Sequence, residues 1–269
     1  ITFHRWIRNA IASGMPFDRF VRSILTATGN VSVSPPVQWY AEVRYLDRYV
    51  DDTAQVFLGL RIGCARCHHH PFENFTQGDY YGLAAFFTRI GRREGIGVAE
   101  RRANETVFIK ATGSVKHPIT GEVVKPHGLG APDLDVPPYA DPRHRLVDWM
   151  ATRKNPYFAR AFVNRMWAHC FGRGLVEPID DMRVTNPATN PQLLDALADE
   201  FVDSGFNMRR VLELITTSTT YQLDSSANVD NLDETQGHSR FYPQRLSAEV
   251  LLDSIDQVTS RPTAYGGLP

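Results

Sequence analysis

The chain has 269 residues, 42% hydrophobic and 22% charged, an ordinary globular composition long enough for one large or two ordinary domains. With 29 basic against 30 acidic side chains the net charge is −1, which excludes a global pull toward nucleic acid or an anionic membrane surface. No run of about 18 apolar residues offers a membrane span, and three cysteines are too few for a disulfide framework.

From the N-terminus, "HRWIRNAIASG" and "PFDRFVRSILTATG" predict two short helices, with Phe17, Phe20, Val21 and Ile24 at helical spacing and Gly14 and Gly29 as caps. "NVSVSPPVQW" reads as a loop, since Pro35-Pro36 interrupts a regular element. A third helix is expected over Asp47–Leu60. A fourth is expected over Gln77–Arg89, opened by a Thr76/Asp79 capping box and buried through Tyr80, Leu83, Ala84 and Phe87. Residues 92–104 are polar. Residues 105–126 alternate and carry turn residues, which predicts short strands or a hairpin. A Pro/Gly-rich stretch then looks like a domain boundary. From 142 the pattern is helical again: "PRHRLVDWMATR", then a start at Asn155-Pro156 with Ala159, Phe162, Val163, Met166, Trp167 and Cys170 on one stripe, stopping at Gly172 and Gly174. Asn190-Pro191 repeats the start signal, with Leu194, Leu197, Ala198 and Phe201 inward, and "MRRVLELITTS" and "SAEVLLDSIDQV" supply two more helices. The expected architecture is mainly α: a helical domain over residues 1–95, a β-rich linker or insertion over 96–140, and a second helical domain over 141–269. The ends, "ITFHRW" without an initiator Met and "AYGGLP" after a helical pattern, read as an internal fragment whose export signal is expected upstream.

The chemistry concentrates in "GLRIGCARCHHHPFENFTQGDYYGLAAFF", residues 59–87, which holds two of the three cysteines and three of the nine histidines. Cys64-Ala-Arg-Cys67-His68 has the Cys-x-x-Cys-His spacing of covalent haem c attachment. Two thiols three positions apart lie on one side of a helical turn and reach the two vinyl groups of one porphyrin edge, while the following histidine comes under the ring as axial ligand. Three rivals stand beside it. Cys64, Cys67, His68 and His70 offer N and S donors to zinc or iron, although a second ligand pair at a distance is missing. A redox dithiol would normally follow a strand, and these surroundings read helical. A polar, His-rich turn with no chemistry is the fourth reading. The sixth haem ligand is left open among Met150, Met166, Met182, His117, His127, His144 and His169, each of which has an ordinary packing or surface role as its alternative.

A second constellation spans residues 155–191, where Arg160, Arg165, Arg173 and Arg183 alternate with Glu177, Asp180 and Asp181. Paired carboxylates with arginines suit acid/base work or an anionic or sugar substrate. Ion pairs that fasten helices are the commoner use of such a set, and the favoured one here.

Two long stretches carry a resemblance. "DDTAQVFLGLRIGCARCHHHPFENFTQGDYYGLAAFF" resembles the C-terminal part of a planctomycete cytochrome-like domain of unknown function. "GSVKHPITGEVVKPHGLG" with "LVDWMATRKNPYFARAFVNRMWAHCFGRGLVEPIDDMRVTNPATNPQLLDALADEFVDSGFNMRRVLELITTSTTYQL" is similar to the N-terminal part of the helical partner domain that follows it. The resemblance implies haem at Cys64, Cys67 and His68, with His70 on a second histidine typical of the motif. Position 69, usually Asp or Asn in that family, is His69 here and adds a spare ligand. The expected function is that of a periplasmic or cell-envelope haem c protein in electron transfer or a redox enzyme assembly, its partner being a redox protein or an upstream cytochrome domain of the same chain. Two alternatives remain: a Zn or Fe site in a structural or binding protein serving polysaccharide breakdown, and an enzyme using the 160–183 Arg/Asp cluster.

Overall fold

The computed structural model describes residues 2–95, 105–234 and 236–263. The chain is mainly helical. Helices α1 (Thr2–Ala12) and α2 (Phe17–Leu25) form where the periodicity places them, and α2 buries Val21, Ile24 and Leu25. The expected loop at Pro35-Pro36 is instead a 3-10 turn, Pro35–Val37, running into α3 (Gln38–Glu42). Proline at the first positions of a helical turn gives up only an amide that would lack a partner there, so the pair starts a helix rather than breaking one.

Helix α4 (Leu46–Thr53) continues through a π-type turn, Ala54–Leu58, and stops at Gly59. Gly59 has φ +68°, and a side chain there would also press on Ala161 and Met182. Helix α5 (Gln77–Ala85) opens on the expected capping box: Thr76 Oγ1 accepts the Asp79 N–H at 3.2 Å, and the Asp79 carboxylate accepts the Thr76 N–H at 2.8 Å. It buries Tyr80, Leu83 and Ala84 and ends before the expected Arg89, because the chain must turn into a strand at Ile90.

The strands β1 (Gly29–Asn30), β2 (Ile90–Arg93) and β3 (Thr106–Ile109) form an antiparallel sheet in the order β1-β3-β2, with Arg92 opposite Val107. β4 (Val115–Lys116) and β5 (Val123–Val124) pair as the expected hairpin. The polar "RRE" stretch hides β2. Its Arg92 is drawn inward by Glu105, itself 1% exposed, and by the carbonyls of Tyr40 and Val43, so charge here marks a half-buried strand. The remainder of the expected polar segment, 96–104, lies outside the described residues.

Helices α6 (Arg143–Met150), α7 (Phe158–Phe171), α8 (Pro191–Asp203), α9 (Met208–Thr216) and α10 (Ala248–Thr259) complete the chain. Asn155 Oδ1 accepts the amides of Tyr157 and Phe158 ahead of α7, and Asn190 accepts that of Leu193 at the start of α8. On α7 the stripe buries Ala159, Phe162, Val163 and Trp167 as expected. Met166 and Cys170 are only partly buried, and Asn164, fully buried, exchanges two 2.9 Å hydrogen bonds with the backbone of Val176.

The packing gives no support to two separate helical cores. One cluster of buried side chains runs from Val21 to Ile215. Phe17 of α2 lies 4.4 Å from the Phe162 ring and 5.1 Å from that of Phe158 on α7. Arg143, with no exposure, sends its guanidinium to the carbonyls of Thr26 and Ala27. The small sheet and hairpin attach to α5 and to the α3–α4 region.

Candidate functional site

The Cys-x-x-Cys-His segment sits on a 3-10 turn, Gly63–Arg66, one step beyond the Gly59 stop of the preceding helix. The Cys67 amide donates to the Cys64 carbonyl at 3.2 Å and the His68 amide to the same carbonyl at 3.4 Å, so the motif is wound as one tight turn. Ala65 is buried beneath it, whereas Cys64 and Cys67 are both exposed and unpaired. His68 Nδ1 lies 2.6 Å from the His69 carbonyl. In the neutral tautomer whose Nδ1–H donates to that carbonyl, Nε2 is the nitrogen that carries the lone pair. A backbone carbonyl holding one ring nitrogen is the usual way an imidazole ligand is oriented.

His70 is built differently. Its Nε2–H donates to the Arg61 carbonyl at 3.1 Å, and its Nδ1 accepts the Phe72 amide at 3.3 Å. The His70 amide in turn donates to the Phe75 carbonyl at 2.9 Å. His70 therefore braces the 61–75 loop with both ring nitrogens, and ligation would cost it one of those bonds. Among the described residues, no three His, Cys, Asp or Glu side chains converge to hold a metal ion.

Beneath the turn, Asp51 of α4 faces Gly63. Its Oδ1 is buried without a hydrogen-bond partner, and burial pushes its carboxyl up despite a hydrogen bond with Tyr80. Burial, then the Asp51 charge, push the Tyr80 hydroxyl up in turn. Arg66 pairs with Asp47 and also reaches the Cys67 side chain. Gln77 and Tyr81 both donate to the Arg66 carbonyl, which ties the turn to α5.

The sixth-ligand candidates scatter. Met150 is buried in the core at 1% exposure, Met166 and Met182 pack against that core, and His144 and His169 are exposed. His127 lies against Gly82 of α5, with Nδ1 2.9 Å from Asp133. The His117 ring lies tilted at 6.1 Å from the ring of Tyr81, whose hydroxyl bonds the Arg66 carbonyl, so it is linked to the motif through one side chain.

The Arg/Asp cluster is divided by the fold. Asp180 takes Arg61 at 2.5 Å and also Gln55, and Arg165 donates to the carbonyls of Gln55 and Val56. Burial raises the Asp180 carboxyl, but the Arg61 and Gln55 hydrogen bonds outweigh it and hold the group below the usual carboxylate range. The Met182 amide donates to the Gly59 carbonyl at 2.9 Å. These contacts fasten the 180–182 turn onto the helix that delivers the cysteine motif. Arg160 instead pairs with Asp195 at 2.5 Å, and Arg183 pairs with Asp181 at 3.3 Å while lying over the Phe72 ring. Glu177 caps the Gly174 amide at 2.5 Å.

Two buried polar residues carried no signal in sequence. Arg143 lies in a polar-looking helix start. His238, 5% exposed, accepts the Trp167 indole N–H at 3.1 Å with its Nδ1 unpartnered, and burial lowers its pKa.

No curated protein and no solved structure matches the chain. Two families match it. Residues 1–92 match the family described as PSCyt2, a protein of unknown function (DUF1549), and residues 142–268 match PSD1, a protein of unknown function (DUF1553). A match to PSCyt2 that includes Cys64, Cys67 and His68 is thus followed in order by a match to PSD1, both families of unknown function.

Proposed function

We propose that this chain binds haem c through Cys64, Cys67 and His68 and serves electron transfer, or a redox enzyme assembly, in the cell envelope. The observation that carries the reading is the 3-10 turn itself: Cys64 within it and Cys67 at its end are exposed and not in a disulfide, and the histidine that follows has Nδ1 against the His69 carbonyl. Those are the donors that two thioether bonds and one axial bond require. A bound haem would supply a one-electron site. The protein's part is to hold the turn rigid through Gln77 and Tyr81, to brace the exit loop through His70, and to place Arg66 beside Cys67. An exposed attachment turn suits exchange with a redox partner protein or with a cytochrome domain upstream in the same chain. Haem c is attached outside the cytoplasm, which motivates the envelope localisation.

The test is a reduced-minus-oxidised visible spectrum with a haem stain on a denaturing gel, on protein exported in a host with haem c maturation machinery. A sharp α-band and a stain that survives denaturation are expected, both lost in Cys64→Ala, Cys67→Ala. A colourless protein would refute the reading. The Zn or Fe alternative has less support, because His70 is already engaged on both nitrogens. The Arg/Asp enzyme has less again, because Asp180 is fully engaged in the seam.

A further inference from the structure

Residues 236–246 carry no helix or strand and lie across the C-terminal turn of α7. Three side chains fasten them there. Phe241 meets the Tyr221 ring edge-on, and Tyr221 meets Phe171 of α7 in the same way. Gln244 fills the space that a side chain at Gly172, the α7 stop, would occupy. His238 goes deepest, with its ring 5.2 Å from that of Trp167 and 5.1 Å from that of Phe171. The indole N–H of Trp167 only donates, so the His238 Nε2 that it meets at 3.1 Å holds the lone pair. The proton of the neutral ring is then on Nδ1, which is buried without a partner among the described residues. A second proton has only Nε2 to go to, where it would face the Trp167 N–H. The imidazolium would thus bury two N–H groups with no acceptor for either. Glu234, on the same segment, favours the cation, and Arg173, just past α7, opposes it. Glu234 is not free to pair with it, since its carboxylate takes the amides of Gln236 and Gly237 and the hydroxyls of Ser239 and Tyr242. Tyr242, edge-on at 6.4 Å, stays neutral because burial and the Glu234 hydrogen bond push its hydroxyl up. His238 also holds φ +53°, a conformation that a non-glycine residue keeps only when its surroundings fix it.

We propose that His238 is an acid-released latch: the neutral imidazole holds residues 236–246 against the end of α7, and its protonation frees them and uncovers Trp167 and Phe171. The latch lies outside the segment that matches PSCyt2 and does not depend on the haem reading. Burial outweighs the Glu234 charge and holds the His238 pKa below that of an open histidine, about 6.5. The closed form is therefore fully held above that pH and weakens as pH falls through it, by up to about tenfold per unit.

The test is hydrogen–deuterium exchange of the whole chain at about pH 7.5 and 5.5, read by mass spectrometry and corrected for the intrinsic pH dependence of exchange. Amides of 236–246 should lose about tenfold in protection at the lower pH, while those of α8 keep theirs. Phe241, whose N–H goes to the Asp224 carbonyl at 3.1 Å, is the reporter within the segment. His238→Gln keeps an acceptor for the Trp167 N–H and takes no proton in this range, so it should abolish the difference. Equal protection of 236–246 at the two pH values in the parent, the same loss in a folded His238→Gln, or a loss shared by α8 overturns the proposal. If His238→Gln does not fold, a long-range proton–nitrogen correlation spectrum of the parent near neutral pH decides. The proton is expected on Nδ1 and not on Nε2, and the reverse overturns the latch.

Discussion

Arg143→Met tests whether the two family segments fold as one. Arg143 opens the segment that matches PSD1, yet its partners lie largely in the segment that matches PSCyt2: the carbonyls of Thr26 and Ala27 at 3.2 and 3.1 Å, and the Tyr40 ring 5.2 Å from its guanidinium carbon. Asp141 supplies the counter-charge at 2.8–3.1 Å. Methionine keeps much of the apolar stem and removes every one of these donors. Breaking a buried pair from one side costs about 3–5 kcal/mol. The low end applies, since the Asp141 side chain keeps 15% exposure and regains some water. At about 2–4 °C per kcal/mol for a chain of this size, the midpoint should fall roughly 6–12 °C. The assay is thermal unfolding followed in parallel by far-ultraviolet dichroism and tryptophan fluorescence. Arg22→Met is the control, since Arg22 bonds Asp148 across the same seam but the two are 32% and 48% exposed, a pair worth under about 1 kcal/mol. Both probes should report one transition, shifted together by Arg143→Met. A shift no larger than that of Arg22→Met, or a second transition that Arg143→Met leaves in place, would refute a shared core.

Three further outcomes follow from single contacts. Gly82→Ala drives a methyl into the His127 ring and should cost about 1–3 kcal/mol in urea unfolding, whereas Gly121→Ala, with open space around it, should show only backbone strain. Asp180 is held below its unfolded pKa of about 4, so its stabilising contribution is present above that pH and is lost as pH falls through the folded value; Asp180→Asn should remove that part of the acid limb of a stability profile. Asp51 is shifted the other way, so its ionised form opposes folding above the raised pKa and the opposition fades as pH falls; Asp51→Asn should gain on the order of 1 kcal/mol at pH 8 and progressively less in acid.

Elements whose start or stop is a short-range event were legible in the sequence. The Thr76/Asp79 box, Asn190-Pro191 and the Gly172 stop each act within four residues, and each stands where its spacing put it. Elements that depend on distant partners were not. β2 reads as polar because Arg92 is neutralised by Glu105, which is thirteen positions away and reached only once β3 pairs. The boundary near 96–140 has the composition of a linker, but composition does not reveal that Phe17 packs on Phe162 or that Arg143 reaches Ala27. Both contacts close loops of more than a hundred residues, and no local periodicity encodes them.

The candidate site divides along the same line. Cys64, Cys67 and His68 are joined by one turn, so spacing alone brought them together. His70 was grouped with them by proximity in sequence, yet the reversal of the chain at 70–75 points its ring at Arg61 and Phe72 and makes it a brace. The arginines and aspartates of 160–183 looked like one constellation, and the fold makes two of them. The backbone bond from Met182 to Gly59 fixes where the turn crosses the helix. Residues on one side of that crossing, Asp180 and Arg165, are committed to the seam; Arg183 and Arg160, on the other, line a cleft where the first turns of α7 and α8 meet the 182–188 segment. Gly59 is therefore the hinge of the arrangement, since its positive φ ends the helix before the cysteines and its lack of a side chain lets Met182 approach. One glycine thus positions the cysteine turn and the cleft wall together.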